Sequence, residues 1–229
     1  MSGKKTPQTV VKIQYKFRNL IYQKNEIMKK ILFAALPVVA IAAIVLQPIG
    51  DPLPLGASIP SPEIKMKDIS GKEISLKDAK TSKGLFVMFS CNTCPYVIKN
   101  QSRTNEACKY AQDNGIGVAI LNSNEAKRTD DDSYADMKAY AKDQGYNWYY
   151  MVDAKSTLAD AFGANRTPEC FLFDGDGKLV YHGAIDDNPS DASAVSRKHL
   201  VAAIDEMKAG KAVSVKESKS VGCSIKRKS

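Results

Sequence analysis

The sequence predicts an α/β domain: a central mixed β-sheet covered by helices on both faces. Three observations carry this. "GLFVMFS" (84–90) and "GVAILNSN" (117–124) are short apolar runs, as expected of central strands buried on both sides. Amphipathic helical stretches alternate with them, and hairpin signatures flank the series at both ends.

Each element follows in chain order. "QPIGDPLPLGASIP" (47–60) is rich in Pro and Gly and reads as a linker. "EIKMKDISGKEISLKDA" (63–79) alternates apolar and polar residues around Ser70-Gly71, which predicts an N-terminal β-hairpin extension. A helix is expected from Pro95 to about Asp113. "DSYADMKAYAKDQG" (132–145) is an amphipathic helix stopped by Gly145. "NWYYMVD" (147–153) is a third strand, and "STLADAFGA" (156–164) a short helix with Ser156 as its N-cap. "ECFLFDGDGKLVYHG" (169–183) is a hairpin turning at Asp174–Gly177. "ASAVSRKHLVAAIDEMKAG" (192–210) is a closing helix. The expected domain is 61–212, followed by a basic tail, 213–229, that carries Cys223. There is no internal repeat.

A net charge of +8 invites a nucleic-acid reading, but its distribution removes it. Residues 1–50 carry eight of the 33 basic residues and one of the 25 acidic ones. The rest, with 25 basic and 24 acidic residues, is near neutral and forms no basic stripe. The excess belongs to a leader. From Met28, two lysines precede Ile31–Leu46, sixteen residues without a charge. That is the pattern of a secretory signal, and it is short of the roughly 20 residues of a spanning helix. Residues 28–46 are therefore expected to be a signal peptide or an N-terminal anchor, the chain's sole membrane contact. Residues 1–27 are expected to fall outside the mature protein, with Met28 as the true start. Export to a bacterial periplasm or cell envelope implies a compartment where disulfides persist.

The chemistry is expected at "FSCNTCPYV" (89–97), where a Cys-x-x-Cys follows a buried strand. First-turn amides of a helix have no partners and the helix dipole is positive there, so a thiolate is stabilised and its pKa falls. On that geometry Cys91 is the exposed thiolate that attacks. Cys94, one turn further into the helix, is shielded and resolves the mixed disulfide. Pro95 is tolerated because first-turn amides lack partners anyway. Structural zinc would want four ligands, and the remaining candidates (Cys108, Cys170, Cys223, His182, His199) are singly placed. A copper clip would need a nearby His. No metal and no cofactor is expected.

"FSCNTCPYV", "LNSN" (121–124), "TPECFLFDGDGKLVYHGAIDDN" (167–188) and "SVGCSIK" (220–226) together resemble the thioredoxin-like redoxins, and within them the peroxiredoxin-like group. The resemblance covers about 56–228 and implies a thioredoxin-like fold. It implies that Pro168 is a cis-proline facing the Cys-x-x-Cys, with Thr167 lining the same cleft beside an edge that holds an extended thiol substrate. It also offers a second assignment. The Thr-x-x-Cys-Pro element of true peroxiredoxins falls on Cys91–Pro95, with Cys94 as the peroxide-reducing cysteine and Cys91 where the threonine would be. Arg166 could then place a cation near that thiolate.

The expected function is thus an exported thiol–disulfide oxidoreductase acting on protein or small-molecule thiols and disulfides. The alternatives are a thiol peroxidase acting on peroxides and a non-enzymatic thiol- or metal-binding envelope module. Cys108 and Cys170 are expected as core packing. Cys223, in a polar tail, is a candidate resolving thiol that returns to the site.

Overall fold

The computed structural model describes residues 51–228. The leader, its cleavage or anchoring, and residues 1–50 as a whole lie outside the described residues. Among the described residues no helix is long and apolar enough to cross a membrane.

The expected hairpin is β1 (Met66–Lys67) and β2 (Glu73–Ile74), antiparallel with Met66 opposite Ile74. Its second arm stops earlier than the alternation suggested. Ser75 accepts from the Asp78 amide and Asp78 accepts from the Ser75 amide, a capping box that starts α1 (Leu76–Ala79). β3 (Leu85–Ser90), β4 (Gly117–Asn122), β5 (Tyr149–Val152), β7 (Glu169–Phe173) and β8 (Leu179–Gly183) form one sheet in the order β5-β4-β3-β7-β8. β3, β4 and β5 are parallel; β7 and β8 are antiparallel to their neighbours.

β3 lies at the centre, and every residue in it is buried. The two-residue period decides where each side chain goes. Phe86 and Met88 point into one core, with Val118, Ile120 and Tyr150. That core is closed by α2 (Pro95–Asp113), α3 (Tyr134–Asp143) and α5 (His199–Lys208) through Ala107, Met137 and Leu200. Leu85, Val87 and Phe89 point into the other core, closed by α1 and by α4 (Thr157–Phe162) through Leu76 and Leu158. Each fully buried Phe or Leu stabilises by about 1.5–3 kcal/mol. A mixed sheet with helices on both faces is therefore what the apolar runs encode.

Three local expectations change. Ser156 is not the side-chain cap of α4. It sits in the left-handed region (φ 55°) and its hydroxyl donates to the Ser123 carbonyl. The Asp153 carboxylate caps instead, accepting from the Leu158 and Ala159 amides at 2.8 and 2.9 Å. The closing helix begins at His199, not near 192, because the Asp187 carboxylate takes the Ser196 and Arg197 amides at 3.0 Å and holds that stretch extended. Residues 51–60 lie against the domain instead of linking to it. Leu53 is buried and its amide donates to the Phe162 carbonyl. Gly163, at φ +62°, meets this segment so closely that a Cβ would stand 1.8 Å from the Asp51 carbonyl oxygen.

The tail differs most from a polar appendage. Val213 and Ile225 are buried. β9 (Cys223–Ser224) pairs antiparallel with β6 (Arg166–Thr167), placing Cys223 opposite Thr167.

Candidate functional site

β3 delivers the chain to the C-terminal edge of the sheet, and the four residues Cys91–Cys94 bridge it to α2. Cys91 and Cys94 are both buried, at 2% and 3% exposure, so neither is the exposed thiol that sequence reasoning placed at Cys91. Their relation to the helix is also reversed. Cys94 is the N-cap and Pro95 the first helical residue. Proline pre-sets the helical φ and suits the first position, so the helix starts four residues after Cys91. Cys94 therefore holds the helix N-terminus.

Cys94 packs with Cys91, Val97 and Cys223 at the start of α2, where their thiols and the Val97 and Cys223 amides can favour a thiolate. With the Cys91 thiol contributing most, they hold Cys94 down at about 4 against the opposing effect of burial. One contact works the other way: the Thr167 carbonyl lies 3.2 Å from this sulfur and takes its proton when Cys94 is a thiol. Cys91 is pushed the opposite way, first because its proton is engaged by Cys94, then by burial and the nearby Asp132 carboxylate. Its sulfur is also 3.5 Å from the Thr167 hydroxyl. Cys223 is pushed up to about 11, by burial and then by its bond to Cys94. Cys94 is thus the thiol shifted toward ionisation, and Cys91 and Cys223 are shifted away from it.

The loop is held by polar residues that end otherwise apolar strands. Asp132, fully buried, accepts from the Asn92 amide and from Asn122 Nδ2 on one oxygen, and from Asn124 Nδ2 on the other, all at 2.8 Å. The Asn92 side chain accepts from the Tyr150 hydroxyl at 2.8 Å and donates to the Asp131 carbonyl at 3.0 Å. Sequence reasoning did not single out Asp132, Asn92 or Tyr150. The available signal was the pair of asparagines closing "GVAILNSN", since buried amides need a buried partner.

Thr167 and Pro168 are buried beside the two cysteines, and the bond between them is cis. Glu169 fixes the approach to them. One of its carboxylate oxygens accepts from the Asn165 and Arg166 amides, and the other lies 2.8 Å from His182 Nε2. Arg166 is exposed, and its guanidinium donates to the Gly222 carbonyl at 3.3 Å, not to a sulfur. Cys108 and Cys170 are fully buried in the core under α2. Cys223 lies with Cys91, Cys94, Tyr96 and Val97 in one cluster. Among the described residues no group of three or more His, Cys, Asp and Glu side chains could hold a metal ion.

A mixed five-stranded sheet flanked by helices, with thiols where its central strand meets a helix, makes this a thioredoxin-like redoxin. The chain belongs to the AhpC/TSA family, whose model matches residues 57–182. It is similar in structure to a hypothetical protein from Sinorhizobium meliloti 1021, with 32% identity over 78% of this chain and 97% of that one, and a TM-score of 0.71. A conserved protein of Geobacillus kaustophilus is 34% identical over 76% of this chain and 93% of that one, with a TM-score of 0.69. A thioredoxin-like protein in its oxidised form shares the fold at 19% identity, covering 69% of this chain and 99% of its own, with a TM-score of 0.54. No curated protein matches the chain.

Proposed function

We propose that this redoxin is an exported thiol–disulfide oxidoreductase in which Cys94 is the attacking thiolate and Cys91 its resolving partner. The observation that carries this is Cys94 standing as the N-cap of α2, with Cys91 and Cys223 packed beside it in one cluster. The Cys94 thiolate attacks one sulfur of a disulfide R–S–S–R, forming Cys94–S–S–R and releasing RS⁻. The Cys91 thiol then gives up its proton to a leaving thiolate and attacks the Cys94 sulfur. That forms Cys91–S–S–Cys94 and releases the second thiol. The protein has lost two electrons and the substrate has gained them; an external thiol restores the pair. Cys223 packs against the same cluster and is a second thiol able to resolve it.

Turnover of a disulfide substrate, in excess thiol, should be lost in Cys94→Ser. Absence of turnover by the wild-type protein at every thiol supply would remove the enzyme reading. A peroxidase is the second reading, favoured by Cys94-Pro95 standing at the helix N-terminus. Against it, a cysteine occupies the place of the hydroxyl residue and Arg166 turns to Gly222. Stoichiometric peroxide consumption, with a sulfenic acid at Cys94, would favour that reading.

Export rests on Lys29-Lys30 and the uncharged stretch Ile31–Leu46. The protein expressed from Met28 should reach the periplasm or envelope without residues 1–27. N-terminal sequencing of the exported form distinguishes cleavage from anchoring, and retention in the cytosol refutes the assignment.

A further inference from the structure

We propose that the C-terminal strand permanently fills the strand edge beside the thiols, so that the substrates are small disulfides and not cysteine-bearing polypeptide strands. This rests on the disulfide-exchange reading above. An extended peptide engages an edge by main-chain hydrogen bonds, and β6 is the strand edge at this site. That edge is taken. Cys223 and Ser224 pair with Thr167 and Arg166, and the Ile225 amide donates to the Asn165 carbonyl at 3.0 Å. Cys223, opposite Thr167 in this pairing, packs against Cys91 and Cys94, so the strand takes the main-chain partners that a peptide beside the thiols would need.

The tail is anchored on both sides of this contact. Upstream, the Ser218 amide donates to the His182 carbonyl, and the Ser218 hydroxyl accepts from the Ala184 amide at 2.9 Å. Downstream, Ile225 is buried in the core under α4. The Lys226 amide donates to Asn124 Oδ1 at 2.8 Å, and Arg227 pairs with Asp160 at 2.6 Å and donates to the Ala164 carbonyl at 2.7 Å. Gly222 lets the strand lie flat on the edge: a Cβ there would stand 2.0 Å from the Thr167 carbonyl oxygen. Nothing about this segment resembles a loosely held flap. A cavity of about 630 Å³ adjoins the redox loop at Asn92 and Thr93, within the size range of small-molecule sites. Asp130, Asp131, Asp136 and Asp143 also line it, so a neutral disulfide is the suitable probe.

The test compares bis(2-hydroxyethyl) disulfide with insulin at equal disulfide concentration. The wild-type protein should reduce the small disulfide faster by about tenfold or more, the factor set by one or two main-chain hydrogen bonds denied to the polypeptide. Gly222→Ala and Ile225→Asp, two full-length variants that lift the strand from opposite sides of Cys223, should each raise the insulin-to-small-disulfide ratio by about the same factor. Equal wild-type rates on both substrates would overturn the proposal, as would a ratio unchanged in both variants. If the wild-type protein reduces neither substrate, it is the exchange reading that fails, and the proposal falls with it.

Discussion

Disulfide reduction by Cys94→Ser is expected to fall by more than about three orders of magnitude, as when a catalytic nucleophile is removed. Cys91→Ser should keep the first step, the release of one thiol per protein, because the attacking sulfur remains. Labelling against pH also tests the assignment. A thiol held down at about 4 is fully ionised by pH 6, so alkylation of wild-type Cys94 should be nearly flat between pH 6 and 8. An ordinary thiol, with a pKa of about 8.5, would speed up roughly 75-fold over that range. Cys91→Ala removes the largest influence lowering Cys94, so its alkylation should begin to rise with pH. Labelling of Cys91 before Cys94, with attack surviving in Cys94→Ser, would reverse the assignment and restore the order that the bare spacing suggested.

Where the helix starts was hard to read for a local reason. Cys-x-x-Cys spacing says that two sulfurs can meet, but not which of them starts the helix. Pro95 carried the information, since proline belongs at the first helical position and so marks Cys94 as the cap. The sheet was legible because β3 and β4 are apolar throughout, and burial on both faces leaves little other choice. Helix ends were less so where a carboxylate far along the chain decides them. Asp187 taking the Ser196 and Arg197 amides leaves no periodicity signal. The tail was the hardest part. "SVGCSIKRKS" is polar enough to look solvated, and only the apolar Val221 and Ile225 and the small Gly222 hint that it is a docked strand. The site likewise gathers residues from widely separated segments: Cys91, Asp132, Thr167 and Cys223 meet through the topology.

Asp132 should prove the positioning residue of this site, with two separable effects. Asp132→Ala leaves the Asn92 amide and the Asn122 and Asn124 side-chain amides without their acceptor in a dry interior. Each orphaned donor costs about 1–3 kcal/mol, so a loss of stability of about 3–9 kcal/mol is expected in denaturant unfolding. Asp132→Asn keeps the shape and removes the charge. The carboxylate is one of the influences that push the Cys91 thiol up, so without it Cys91 ionises at lower pH. The two sulfurs then share one proton more evenly, and Cys94 ionises less readily. Alkylation of Cys94 in Asp132→Asn should therefore slow at acidic pH relative to wild type, while Cys91 labelling quickens at alkaline pH. A purely structural Asp132 would lower stability in both variants and leave the two labelling profiles where they were. That result would leave Asp132 as a support for the loop alone, with the choice of nucleophile set by the helix terminus and the Cys223 strand.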